Sequence, residues 1–166
     1  MCRSAQSSGA RPLTEKQLAK KAEREQKKAE TLHLKEVTSC TNLCAKAMPV
    51  LTAQVNSIAL ALKQIDKEGV AEFGGELEAA LKEAKGQFQE WKVQATDFLH
   101  AAESNKAKAD PSKVHFSKEV LEGAVKAAGA SMLVYKEKMR NIREKKATAK
   151  AAAPPKATRA KARAKQ

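Results

Sequence analysis

Apolar residues fall in a four-three rhythm along three stretches of this chain. From Val37 the steps land on Thr41, Cys44, Met48, Leu51, Val55, Ile58, Leu62 and Ile65, and only Thr41 is polar. A second series runs Leu77, Leu81, Ala84, Phe88, Trp91, Ala95, Phe98, Ala102, and a third Leu121, Val125, Ala128, Met132, Tyr135, Met139, Ile142. A sustained seven-residue period puts each series on one stripe of a helix. The residues between are largely Lys, Glu, Gln and Ala, all good helix formers. Leu43, Val50, Leu99, Val120, Ala124 and Val134 flank the stripes, and they are expected to widen each one until a helix touches two neighbours.

The interruptions agree with the stripes. Gly69 closes the first helix after Asp66-Lys67-Glu68, and Gly74-Gly75 opens a loop before Glu76. Ser104-Asn105 ends the second helix, Asp110-Pro111-Ser112 is a turn, and Ser117 caps the third with Glu119 in its first turn. The predicted helices are 35–67, 76–104 and 117–147 within a bundle spanning 35–148. Connections of roughly 8 and 12 residues make successive helices antiparallel. Val, Ile and Thr nowhere form the short alternating runs of strands. The fold class is therefore all-α: an antiparallel, coiled-coil-like bundle of three helices. Pro49 is the one conflict, because a mid-helix proline removes a backbone bond and costs about 3 kcal/mol. A break there would make four helices. The unbroken phase from Met48 to Leu51 favours a single kinked helix.

Outside the bundle the chain is charged. Residues 13–34 keep helix propensity without a stripe, and pairs such as Glu23–Lys27 and Glu15–Lys16 are read as helix-surface contacts. A polar helix of this kind is marginal alone, so it is expected to fray when free and to order on a partner. Residues 1–12 and 149–166 are expected to be disordered. Of the net charge of +13, residues 138–166 contribute +10 and residues 1–30 contribute +4, while 31–137 sum to −1. A near-neutral body with cationic arms attracts polyanions without a shaped pocket.

Candidate chemistry is sparse. Three cysteines without framework spacing argue against a disulfide scaffold and fit a reducing compartment. Cys40 and Cys44 share a helix face near His33, but no second ligand pair accompanies them and Cys44 falls on the apolar stripe, so no metal site is assigned. His100 and His115 flank the second loop, where solvated side chains are the expectation. Glu68, Glu72, Glu76, Glu78 and Glu83 gather around the first loop without the alternate-residue oxygen spacing of a calcium site. No phosphate-binding glycine loop or nucleophile–base arrangement is present. The sequence points to no enzyme and no cofactor.

The C-terminal run KKATAKAAAPPKATRAKARAKQ is the functional candidate. It cannot bury a core, and Pro154-Pro155 prevents one continuous helix. In composition it resembles the tails of linker histones and other small chromatin or ribosomal proteins. That resemblance covers only these twenty-odd residues and implies contact with nucleic acid. Lys145, Lys146, Lys150, Lys156, Arg159, Lys161, Arg163 and Lys165 are the expected phosphate contacts. With no aromatic or Asn among them, sequence would not be read. A nuclear location is favoured, and the acid-free, Ser-containing start also has the composition of a short organelle-import segment. The competing reading is an adaptor whose stripes pair with partner helices and whose tails touch an acidic surface. No uninterrupted apolar run approaches the roughly 18 residues of a membrane span.

Overall fold

The computed structural model describes residues 14–152. Its helices are α1 (Glu15–Glu68), α2 (Val70–Phe73), α3 (Gly75–Ser104) and α4 (Lys118–Ala152), with a 3-10 turn at Pro111–Lys113. Among the described residues there is no strand, and the chain is all-α. The expected calls for residues 1–12 and for 153–166 lie outside the described residues.

Helix α1 meets expectation at Pro49 and departs from it in its N-terminal part. It runs through Pro49 without a break, so the continuous reading holds there. It also joins the polar segment from Glu15 directly to the apolar one, with no boundary near residue 34. A fourth helix does exist, but it is the single turn α2 in the first connection, which the sequence left as a loop. Helix α4 in turn reaches Ala152, beyond the expected end near 147, and takes in Thr148, Ala149 and Lys150.

Every stripe position is at least partly covered. Of the 24, 17 are buried, and the other seven (Thr41, Met48, Leu77, Ala84, Val125, Met132 and Tyr135) are half-buried. The flanking residues behave less uniformly. Leu43, Leu99 and Ala124 are half-buried, whereas Val50, Val120 and Val134 are exposed. A residue one place off the stripe is turned by about 100°, so it is covered only where another element reaches round the edge.

The described residues form two compact units, one of 14–48 and 94–115, the other of 49–93 and 116–152. In the second unit, Leu62 and Asp66 of α1 line one cleft with Lys82 and Lys85 of α3, and Gly74, just before α3, lies beside Lys138 of α4. Trp91, late in this part of α3, tilts against Phe116 just ahead of α4 at 5.6 Å between ring centroids. Both α1 and α4 are thus antiparallel to α3. Phe88 meets Trp91 edge-on at 6.0 Å, and Phe73 of α2 stacks on Tyr135 of α4 at 5.7 Å. In the first unit, the Thr96 hydroxyl of α3 donates to the Met48 sulfur of α1 at 3.7 Å, and Ala109 is buried in the second connection.

The caps are made as the sequence implies. Gly69 donates its N–H to the Ile65 carbonyl at φ 98°, a backbone conformation open to glycine at little cost. Ser117 Oγ accepts from Val120 N–H at 3.3 Å. Asp110 accepts from the backbone and hydroxyl of Ser112 at 3.0 and 2.7 Å, which holds its carboxyl below the usual range.

Averaged over an 18-residue window, α1 reaches a mean hydropathy of 1.2, enough by length and composition to cross a membrane. The uninterrupted-run criterion missed this because Thr52, Gln54, Asn56 and Ser57 are interspersed among apolar residues. The core helix of a soluble protein passes the same test; here 28% of the window is buried within this chain, and Leu51, Val55, Ile58, Leu62 and Ile65 are the buried positions of the stripe in this part of the helix.

Candidate nucleic-acid interface

Ile142 is the last apolar residue on the α4 stripe, but the four-three stepping continues to Lys146. Lys138 and Lys145 stand three residues after Tyr135 and Ile142, on the adjoining edge. All three lysines consequently turn toward the first connection. The Lys138 ammonium donates to the Phe73 carbonyl at 2.6 Å, at the C-terminus of α2, where a cation meets an unsatisfied acceptor. Lys145 faces Glu72 at 3.8 Å. Lys146 pairs with Glu68, whose side chain is 13% exposed and also accepts from Gln64 at 3.0 Å. The Lys146 hydrogen bond holds the Glu68 carboxyl below the usual carboxylate range.

Three of the eight predicted phosphate contacts therefore fall within the described residues, and two of those are engaged by acids. Lys145 and Lys146 belong to the end of the bundle, matched to Glu72 and Glu68, which the sequence had left solvated. Lys150 differs: it is exposed on the last turns of α4, with no carboxylate within 4.0 Å among the described residues. From Arg143 to Ala151 every residue is exposed. Lys156, Arg159, Lys161, Arg163 and Lys165 lie outside the described residues.

The other singled-out side chains are dispersed. Cys44 is buried and its thiol pKa is pushed up to about 12, by desolvation first and by neighbouring Cys40 second. A thiol so placed is a poor nucleophile and a poor metal ligand at neutral pH. His33 has a buried Nε2 with no hydrogen-bond partner among the described residues. His115 donates its backbone N–H to Gln94 Oε1 at 3.0 Å, and no hydrogen bond joins it to His100. Among the described residues no three His, Cys, Asp or Glu side chains gather as a metal site.

A second cationic region is more ordered than composition suggests. Residues 15–36 of α1 are exposed throughout except for half-buried His33. Laid out at about 100° per residue, Lys16, Lys20, Lys21, Arg24, Lys27, Lys28 and Lys35 fall within an arc of about 140°. Glu15, Glu23, Glu25, Glu30 and Glu36 all fall on the remaining side. Lys21–Glu25 at 4.0 Å and Lys27–Glu23 at 2.7 Å are ion pairs at the two borders. The expected Glu15–Lys16 pair does not form, since adjacent helical residues do not face each other. Lys16, Lys20, Arg24, Lys28 and Lys35 have no carboxylate within 4.0 Å among the described residues. Compared with known proteins, the chain matches no family model, no curated protein and no solved structure.

Proposed function

We propose that this protein is a non-enzymatic helical binder of nucleic acid, which contacts phosphates without reading sequence through its C-terminal arm, in a nuclear, chromatin-like or ribonucleoprotein setting. The observation that carries the reading is the charge division. Residues 31–137 sum to −1, while the C-terminal 29 residues carry +10, and α4 beyond Ile142 buries nothing. With Lys145 and Lys146 matched to acids, the contacts begin at Lys150 and continue through Lys156, Arg159, Lys161, Arg163 and Lys165. The adaptor reading loses support, because the stripes it needs for partner helices are covered within this chain.

The test is fluorescence anisotropy of a labelled 24-base-pair duplex across a salt series. Truncation after Lys150 removes the arm and spares the bundle. It is expected to lower the slope of log K against log salt by about 4.5, from about five lost phosphate contacts at 0.9 each. Permuting residues 151–166 should leave binding unchanged. Equal slopes with and without the arm, or a permuted arm that fails to bind, would overturn the reading.

A further inference from the structure

The first turns of α1 carry a charge arrangement that folding does not require. An exposed helix without a core is best stabilised by alternating acids and bases four apart. Here Lys16, Lys20, Arg24 and Lys28 follow one another at four-residue intervals, which places like charges side by side three times in succession. Each such pair is unfavourable in a helix. The acids that could relieve it lie outside the arc, and of its bases only Lys21 and Lys27 are paired among the described residues. A departure from local consistency with no compensation inside the fold marks a surface shaped for something else.

We infer that the Lys16–Lys35 face of α1 is a second phosphate-binding surface, one that lies along the outside of a nucleic-acid duplex. This rests on the proposed nucleic-acid function and adds a site to it. From Lys16 to Lys35 the face runs about 28 Å at 1.5 Å per residue, long enough to follow several consecutive phosphates. The acidic arc decides the mode. A helix seated in the major groove has phosphates on both flanks, and this one would turn Glu25 and Glu30 toward a phosphate wall. Contact is therefore along the backbone.

Base reading is absent for the same reason that the face is clean. Gln17 is the one amide on it, and its Oε1 accepts the Thr14 N–H at 3.1 Å. The Thr31 hydroxyl donates to the Lys27 carbonyl at 2.7 Å. A bilayer fits poorly, since insertion needs an apolar face: Leu18 and Leu32 lie about 40° apart but share that side with Glu25 and Glu36, and Leu34 is on another side.

The experiment rearranges charge without changing it. Lys20→Glu, Arg24→Glu, Glu25→Lys and Glu30→Arg together keep the net charge and dissolve the face. Circular dichroism confirms that helix content is kept. The variant and the parent are titrated with the 24-base-pair duplex, each full-length and truncated after Lys150. The truncated parent is expected to retain binding with a salt slope of about −4, weakening about 250-fold between 50 and 200 mM salt. The truncated rearranged variant is expected to lose it. If the rearranged and parent proteins bind alike in both lengths, the face is not a site, whatever the arm does. If rearrangement abolishes binding while truncation changes nothing, the face stands and the arm reading falls. Binding of phosphatidylserine vesicles as tightly as duplex, with equal loss on rearrangement, would overturn the duplex assignment.

Discussion

The two lysine-rich helical ends of this protein have similar composition and different fates. At the end of α4, Lys138, Lys145 and Lys146 follow the apolar stripe or its edge, and their ammonium groups meet the Phe73 carbonyl, Glu72 and Glu68. At the start of α1, Lys16, Lys20, Arg24 and Lys28 lie on one exposed face and meet no carboxylate among the described residues. What separates them is the neighbour. The stepping that carries Lys146 on from Ile142 also leads back from Val37 to Lys20 and Lys16, so register alone does not tell the two ends apart. The end of α4 has Glu68 of α1 and Glu72 of α2 beside it, whereas residues 15–36 of α1 are exposed except for half-buried His33. Counting charges, as the composition invites, treats the two ends as equivalent.

The largest effect that can break this comparison is at Phe73. Its side chain is fully buried and stacks on Tyr135, and its carbonyl receives Lys138. Phe73→Ala is expected to destabilise the protein by about 3–5 kcal/mol, read as a fall in the thermal or urea midpoint. Leu32→Ala, at a residue 59% exposed on the start of α1, should stay within about 0.5 kcal/mol. Comparable losses at both positions would mean that the start of α1 is as integrated as the end of α4.

A smaller effect should come from Lys146, and it should depend on pH. Glu68 has a lowered pKa in the folded protein, chiefly through its hydrogen bond from Lys146. A lowered acid pKa contributes stability that is present above the unfolded carboxylate value, about 4.3, and is lost as pH falls through the folded value. Lys146→Ala should therefore lower the melting temperature at pH 7, by less than Phe73→Ala does. The two curves should converge as pH drops below the carboxylate range. Lys28→Ala should leave the melting temperature unchanged at both ends of that range. A deficit for Lys146→Ala that persists undiminished in acid would show that the lysine acts through packing and not through Glu68.

The sequence made the buried stripes legible because a seven-residue period is a geometric statement about one face. It also located Gly69, Asp110 and Ser117, whose backbone and capping roles are local. Phe73 and Phe116 escaped it. Both are buried aromatics in connections, where no periodicity exists to place them. A signal was present for one: Phe116 immediately precedes the Ser117 cap and Leu121 is four into the helix, the two positions of a hydrophobic staple. Phe73 had none, because a single turn between Gly69 and Gly74 is too short to show a stripe. The engagement of Lys145 and Lys146 was hidden for a different reason. Their partners are 73 and 78 residues away in sequence, and only the packing of α1 and α2 beside α4 brings them near. The segregated face of α1 was fully encoded but masked by pair counting, which credits each Glu–Lys spacing and ignores where the unpaired bases point.

The smallest expected effect sharpens the comparison from the α1 side. Thr14 and Gln17 form half of a capping box: Gln17 Oε1 accepts the Thr14 N–H at 3.1 Å, and the Thr14 carbonyl receives Gln17 and Leu18 N–H at 2.8 and 3.0 Å. Nothing in residues 15–32 is buried, so this helix start is held by local contacts alone. Gln17→Ala should cost about 0.5 kcal/mol of local helix stability, at the low end of capping effects. It should raise amide hydrogen exchange over the first turns of α1, by roughly twofold for that energy. The global melting midpoint should not move, because unfolding of the buried stripes does not pass through this turn. A shift of the midpoint together with exchange in α3 or α4 would show that the start of α1 is coupled to the bundle, and the cationic face on it would then be part of the packed body, not a free surface for phosphates.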